Sequence, residues 1–381
     1  MPRDVVFFTG FPGFLGSALL PRVLAREVNA EAMCLVQSRY ADVARARAGQ
    51  LEREQPALAG RIRIVEGDIT VADLGLGDVL DWQDRVVEIF HLAAIYDLSV
   101  GRDIAVRINV DGTTHMLAFA ARCAALRRFQ YVSTCYVSGR YDGRFTEEML
   151  EEGQVFNNFY EETKYLAEVE VQRAMRAGLP ATIYRPAVVV GDSTTGATQK
   201  YDGPYFVIQW LLRQPKVAIM PVVGDAARTR FNVVPRDFVD AAIAYLSGQP
   251  NSLGRVYQLA DPSPDTVDEL LYDIGRATGR RMVRVPLPRG LAKWMIARVP
   301  GVYALMRIPA SAIDYFVLPT TFDTSNTTRD LAAGPPDVVV WALLTSVMAL
   351  ATAVAGGAVA RGFLARGPGH GLRLGAGERP R

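Results

Sequence analysis

The chain is expected to fold as an α/β protein, a doubly wound parallel sheet with a smaller C-terminal lobe. Three observations predict this. Short β-rich apolar runs alternate with helically spaced stretches over the first half of the 381 residues. A glycine-rich turn joins the first run to the first helical stretch. The alternation gives way to another pattern after Pro186. Strand and helix in alternation imply βαβ units, whose parallel sheet is covered on both faces.

The elements follow in order. Residues 5–8 form the first apolar run and residues 17–27 the first helical pattern. Further runs lie at 32–36, 62–65, 86–90, 129–132 and 182–184, and helical stretches separate most of them, notably 113–125 and 160–176. Residues 191–205, rich in Gly, Thr, Asp and Pro, read as a long loop, and mixed helices and short strands continue from about 206 to 323. The expected division is a cofactor domain over 1–185, a substrate lobe over 186–330 and a tail over 331–381, with segments 239–246 and 256–259 of the lobe available to return to the main sheet.

Composition narrows the function classes. Half the residues are hydrophobic and 22% are charged, so the chain is not disordered. Its length supports a core of real size. A net charge of +2 gives no argument for nucleic acid as a partner. Cys34, Cys123 and Cys135 include no C-x-x-C pair, and this odd, sparse set suggests reduced thiols in a cytoplasmic compartment. His91, His115 and His370 are too scattered for a zinc site, so no metal is expected. The N-terminus has no h-region with a cleavage site, and secretion is not expected.

The turn after the first run is Thr9-Gly10-Phe11-Pro12-Gly13-Phe14-Leu15-Gly16. It follows a strand and opens a helix, the context that a dinucleotide-binding loop needs. The first glycine permits the tight turn, the second lets the backbone approach a pyrophosphate, and the third lets helix and strand pack closely. Free N–H groups and the positive helix end then hold the phosphates. The spacing is G-x-x-G-x-x-G rather than the commoner G-x-G-x-x-G. In this context it predicts a Rossmann-type nucleotide site. At the end of the second strand, Cys34 to Tyr40 contains no carboxylate to hold a ribose 2′-hydroxyl. Arg39 is available there for a 2′-phosphate, so NADP(H) is expected in preference to NAD(H).

Tyr160 and Lys164 stand four residues apart in a helical pattern and so share a face. An ammonium beside a phenol favours the phenolate, which lets tyrosine exchange a proton with a carbonyl or alcohol near neutral pH. On spacing alone, a surface pair on an amphipathic helix accounts for these residues better. Ser133 and Thr134 end a strand, where Thr134 either donates to a substrate oxyanion or caps the strand.

With Gly67-Asp68-Ile69, His91-Leu92-Ala93-Ala94 and Asn109-Val110-Asp111-Gly112-Thr113, these motifs come in the order found in extended short-chain dehydrogenases/reductases, which the chain resembles over residues 4–330. Within that group it is similar to the fatty acyl-CoA reductase and thioester reductase branch, of the male-sterility type. The pointers are residues 9–16, 131–139 and 184–196. The resemblance implies that Tyr160 is the general acid/base, that Lys164 binds the nicotinamide ribose and tunes Tyr160, and that Thr134 polarises the carbonyl. It places Asp68 and Ile69 by the adenine, Ala93 by the middle of the cofactor, and Arg185 and Pro186 at the entry to the substrate loop. Asn109 is either part of a proton relay or a helix-start cap.

The implied reaction is NADPH-dependent reduction of an acyl thioester, on CoA or a carrier, to an aldehyde or alcohol. Other enzymes of the same fold stay open: a sugar-nucleotide epimerase or dehydratase, or a hydroxysteroid-type dehydrogenase. So does a non-catalytic NADP-binding protein. The apolar clusters 210–212, 219–220, 294–296 and 315–318 are read either as an acyl site or as lobe core. Arg228 and Arg230 are read either as contacts for a CoA or carrier phosphate or as solvated side chains. A homodimer is the candidate assembly.

From 338 to 360 the chain carries no charge, roughly the 20 residues of a membrane span, and Arg361, Arg366, Arg373, Arg379 and Arg381 follow. A basic flank stays cytoplasmic, yet the cofactor domain also needs cytosolic NADPH, and one span cannot satisfy both. Three readings follow: a tail anchor that breaks the charge rule, a helix lying on the membrane or packed on the protein, or a reading-frame change. The expected location is cytoplasmic, with 338–360 as the candidate for membrane association.

Overall fold

The computed structural model describes residues 2–77, 81–97, 100–199, 203–299 and 310–335. The first half runs β1 (Asp4–Thr9), α1 (Gly16–Arg26), β2 (Ala30–Val36), α2 (Ala41–Glu54), β3 (Ile62–Glu66) and β4 (Val86–His91). A continuous helical stretch follows, made of α3 (Arg102–Ala105), a π-helical segment Val106–Asp111 and α4 (Gly112–Ala121). Then come β5 (Arg128–Val132), β6 (Gly143–Phe145), α5 (Phe159–Arg176), β7 (Ala181–Pro186) and β8 (Val188–Val190). The second half contributes α6 (Pro204–Leu212), β9 (Val217–Val223), β10 (Val233–Pro235), α7 (Arg236–Ser247) and β11 (Val256–Leu259). It ends with α8 (Val267–Thr278), β12 (Arg281–Leu287), α9 (Arg289–Arg298), β13 (Thr320–Phe322) and α10 (Ser325–Leu331).

Seven strands form one sheet in the order β11-β7-β5-β4-β1-β2-β3, and every pairing in it is parallel. The order reverses between β1 and β4, and a doubly wound sheet opens its ligand crevice at such a point, beyond the carboxyl ends of the strands. Helices on both faces explain why β2 and β4 are buried throughout. Along β1 the side chains alternate between two cores. Val6 and Phe8 face Leu19, Leu20 and Val23 of α1 with Phe238 and Leu246 of α7. Val5 and Phe7 face Met116 and Phe119 of α4 with Ala167 and Val171 of α5.

Beyond β7 the chain builds a smaller core around Ile208, Leu211, Met220, Phe231, Leu270 and Ile274. It also returns to the main body: β11 is an edge strand of the large sheet, and α7 packs on α1. The loop expected over 191–205 stops at Gly203, because Pro204 occupies the first turn of α6, where its fixed φ is already helical. The helix expected to start at 113 starts at Arg102, and Ile104, Val106, Ile108 and Val110 in its first turns alternate at the period of a strand, which hides the helix in the sequence. The apolar clusters divide between roles. Leu211 and Met220 are core, whereas Ile219 is 55% and Trp294 56% exposed. Among the described residues no helix is long and apolar enough to cross a membrane. The apolar segment 338–360 lies outside the described residues.

Glu147 fastens the end of the described chain to the sheet. Its buried carboxylate accepts from the backbone N–H groups of Gln258 (2.9 Å), Asn326 (2.5 Å) and Thr327 (3.2 Å), and from Thr327 Oγ1 (3.0 Å). Glu147→Leu leaves these donors unpaired between β11 and α10. It is expected to cost about 3 kcal/mol in urea-unfolding stability.

Candidate active site

The loop between β1 and α1 is shaped for a close ligand. Gly10 has φ +88°, a region open to glycine, and a Cβ there would lie 2.9 Å from Leu92 Cβ and 3.0 Å from Ala93 N. A Cβ on Gly13 or Gly16 would come within 2.6 Å of Gly10 O. Gly13 N donates to that oxygen at 2.8 Å and Ser17 Oγ donates to Pro12 O at 2.9 Å, which closes the turn. α1 starts at Gly16 with no side-chain cap and no acidic residue in its first turn. Its positive end therefore faces the crevice without a competing carboxylate, and this fits the pyrophosphate of a dinucleotide. Phe14 is buried under the Arg236 guanidinium, 5.6 Å from its ring centre, and Leu15 packs on the core below.

Thr9 has a structural duty. Its Oγ1 accepts from Leu92 N (3.2 Å) and Ala93 N (3.1 Å), tying β1 to the chain leaving β4. At the end of β2, Arg39 is exposed, donates through Nε and Nη2 to Gln37 Oε1 (2.9 and 2.6 Å), and lies 4.8 Å from the Tyr40 ring centre. Gln37 Nε2 in turn donates to Asp68 Oδ2 at 2.7 Å, so Asp68 stands at the rim near Arg39. The Ile69 side chain is buried against Gly112, and its carbonyl is bonded to His115 Nδ1 at 2.7 Å.

The helix α5 carries Tyr160, Lys164 and Glu168 one turn apart. Asn158 caps it, accepting from Glu161 N at 3.0 Å. Lys164 is 3% exposed, and its Nζ donates to Tyr131 Oη and to Val132 O, both at 2.8 Å. Burial pushes the ammonium down to about 7, against an opposing pull from the Glu168 carboxylate. Tyr160 is half-buried on the same face, close enough for a charge on it to raise the phenols of Tyr131 and Tyr136. Thr134 is buried at the end of β5. Its Oγ1 accepts from Tyr136 N (3.3 Å), capping the short turn Cys135–Ser138, and spans 3.4 Å to Pro186 O.

Asn109 is not a helix-start cap. It lies inside the π-helical segment, and such segments displace a side chain from the regular helical face. Its Oδ1 accepts from Ile95 N (2.8 Å), and its Nδ2 donates to Ile95 O and to Thr163 Oγ1, both at 3.0 Å. A further polar chain runs beneath it. Thr113 Oγ1 donates to Asn109 O at 2.6 Å, so it accepts from His91 Nε2–H at 3.1 Å. His91 Nδ1 then accepts from the Thr9 hydroxyl at 2.8 Å. Burial first, and the Lys164 charge second, push His91 down to about 3, so the ring stays neutral.

The structure thus brings Tyr160, Lys164 and Thr134 together with the glycine loop at one end of the sheet. Arg228 pairs loosely with Asp225 at 3.6 Å, whereas Arg230 donates to Pro264 O and lines a groove with Tyr136 and Tyr315. Sequence reading missed Tyr131 and Glu168. The i+4 spacing from Lys164 pointed to Glu168, and a single arginine in the otherwise uncharged strand β7 pointed to its partner Arg185. Nothing in the sequence distinguished Tyr131 from a core aromatic.

Known proteins are similar to this chain in sequence and in fold. The family model of the NAD-binding "Male sterility protein" type matches residues 8–243. A linear gramicidin synthase polypeptide of Brevibacillus parabrevis is 29% identical over 71% of this chain. Glycine betaine reductase ATRR of Emericella nidulans is 30% identical over 71%. The chain spans only 5% and 22% of the lengths of these two proteins. The crystal structure of the terminal R domain from the myxalamid PKS-NRPS biosynthetic pathway superposes with a TM-score of 0.77 at 26% identity, covering 95% of this chain and 92% of that one. The matched model covers the glycine loop, β5, α5 and the first turns of α7, and the chain therefore belongs to the male-sterility-type NAD-binding family of extended short-chain dehydrogenases/reductases, as an oxidoreductase that uses a nicotinamide cofactor.

Proposed function

We propose that the chain is an NADPH-dependent reductase of an acyl thioester, carried on CoA or a carrier domain, giving the aldehyde or the alcohol. One observation carries this reading: the α5 face with Tyr160 and Lys164 closes against the hydroxyl-bearing end of β5 beside the glycine loop. The likeness to a protein named a reductase and to a terminal R domain favours a thioester over a sugar nucleotide.

When bound, the nicotinamide supplies the hydride. The remaining work falls to the protein. Gly10, Pro12, Gly13, Phe14, Leu15 and Gly16 hold the pyrophosphate, with Thr9 and Ala93 fixing the strand ends beside it. Asp68 and Ile69 flank the adenosine, and Pro186 flanks the nicotinamide end. Arg39 meets the 2′-phosphate, for which the carboxylate-free end of β2 makes room. Thr134 turns its hydroxyl hydrogen from Pro186 O to the thioester carbonyl, where oxyanion charge develops. Tyr160 donates a hydrogen bond to the same oxygen, and gives it the proton that it needs when an aldehyde goes on to alcohol. Lys164 binds the nicotinamide ribose and lowers the cost of a Tyr160 phenolate. Asn109, bridging Ile95 and Thr163, holds α5 in place behind them. The lobe over 186–330 takes the acyl group in a groove between Tyr136, Phe231, Tyr315, Leu318 and Phe322. Tyr315 binds this groove to the catalytic helix, since its hydroxyl accepts from Asn158 Nδ2 at 3.0 Å.

Three measurements test this. Tyr160→Phe is expected to lower turnover of a panel of acyl-CoA and carrier-bound thioesters by roughly 10²–10⁴-fold, with the NADPH Kd from fluorescence titration within about twofold of the starting protein. Turnover of ketones but of no thioester refutes the substrate class. Arg39→Ala is expected to weaken NADPH about tenfold, the value of one charge-assisted hydrogen bond, and to leave NADH unchanged.

The third concerns pH. The folded chain releases the Lys164 proton near 7, whereas an unfolded chain holds it to about 10.5. Between those values the unfolded state binds more protons, so stability of the cofactor-free protein rises with pH, by up to about 1.4 kcal/mol per unit. Below 7 this contribution is flat. Urea unfolding across this range should show the rise, and the difference from Lys164→Met should isolate it.

A further inference from the structure

Glu168 follows Lys164 by one turn of α5 and has no part in the chemistry above. It is fully buried, and so is its partner Arg185 of β7. Arg185 Nε donates to both carboxylate oxygens (3.0 and 3.2 Å), and Nη2 donates to Oε1 at 2.6 Å. Gln172 Nε2 donates to Oε1 at 3.1 Å, and Ser133 Oγ donates to Oε2 at 2.5 Å. The guanidinium also reaches Met149 O at 2.9 Å. An ion pair wholly removed from water contributes little net stability, because desolvating both charges costs several kcal/mol and apolar residues of like volume often serve as well. What the pair orients is therefore the more telling question.

It orients the end of β5. Ser133 N donates to Tyr184 O at 2.6 Å while its hydroxyl reaches Glu168, and Cys135 Sγ donates to Arg185 O at 2.9 Å. Thr134 is thus pinned on both sides, by neighbours tied to Glu168 and to Arg185. We infer that Glu168, held by Arg185, is a positioning residue. Through Ser133 it fixes the strand end bearing Thr134 against α5, and it places a counter-charge one turn from Lys164. The inference rests on the roles given above to Thr134, Tyr160 and Lys164. The other titratable or charged groups around Lys164 are Tyr160 on α5, Tyr131 on β5, His91 on β4 and Arg185 itself.

The test uses the full chain and two readouts. In Glu168→Gln the counter-charge is gone and Arg185 remains as an unbalanced cation, so Lys164 gives up its proton more readily. The pH at which cofactor-free stability begins to rise is expected to move down by about one unit, read from urea midpoints. Adding Arg185→Met removes the stray cation, and in the double variant the onset should return to within about half a unit of the starting protein. If Glu168 only packs, midpoints fall in both variants while the onset stays fixed, and that result overturns the counter-charge. Ser133→Ala keeps the ion pair and tests the other arm. Turnover is expected to fall about tenfold with NADPH affinity within about twofold, and unchanged turnover overturns the positioning of Thr134. A chain that binds NADPH and shows the onset shift, yet reduces no thioester, refutes the proposed substrate and upholds the counter-charge.

Discussion

The structure turns on a lysine taken out of water. Lys164 sits between α5 and β5 with its ammonium bonded to Tyr131 Oη and Val132 O. A buried ammonium is tolerated only with partners at hydrogen-bond distance, and both of these come from one strand. The helix therefore cannot slide or rotate on the sheet without leaving a charge unpaired. That constraint fixes the height of Tyr160, one turn earlier, relative to Thr134 at the strand end. It also explains why Tyr131 is worth a buried phenol on the face of β5 that it shares with Phe129.

The second anchor is the glycine loop, and it works through backbone contact. Gly10 approaches the chain leaving β4 so closely that a Cβ would meet Leu92 and Ala93. Thr9 bonds the same two residues through their N–H groups. β1 and β4 flank the switch point of the sheet, so these contacts fix the two strand ends between which the crevice opens. His91 continues the link inward without adding charge. As a neutral ring it joins Thr9 to Thr113 and so to the carbonyl of Asn109. Cofactor loop and catalytic helix are thereby connected by satisfied neutral hydrogen bonds, and this link adds no cation beside Lys164.

Much of this is legible in the sequence, for physical reasons. The parallel sheet shows because strands covered on both faces must be mostly apolar, as β2 and β4 are apart from Glu31, Glu88 and His91. The loop shows because only glycine fits at Gly10, and the catalytic face shows because residues four apart share a side of a helix. Other features are hidden. The start of the long helix at Arg102 carries its larger apolar residues at alternate positions, so helical spacing cannot locate it. The π-helical segment that repositions Asn109 leaves no compositional mark, so the sequence cannot separate its role from that of a cap. Thr9 reads from the motif as part of the cofactor loop, whereas its oxygen is engaged with backbone on the neighbouring strand.

Burial separates the informative polar residues from the rest. Arg39 and Arg228 lie at the surface, where side chains are free to move and a charged ligand gains from long reach. Lys164, Glu168 and Arg185 have no such freedom, and each partner they hold is main chain, a buried group or the half-buried Gln172. In a low-dielectric interior an unpaired charge is costly, so the whole set must move together or not at all. A scaffold built this way keeps the strand end bearing Thr134 fixed against α5, so that in the proposed reaction only the Thr134 hydroxyl hydrogen has to turn as charge develops on the substrate oxygen. That is the property which electrostatic stabilisation of an oxyanion requires. It follows here from three charged residues that the fold could bury only as a connected group.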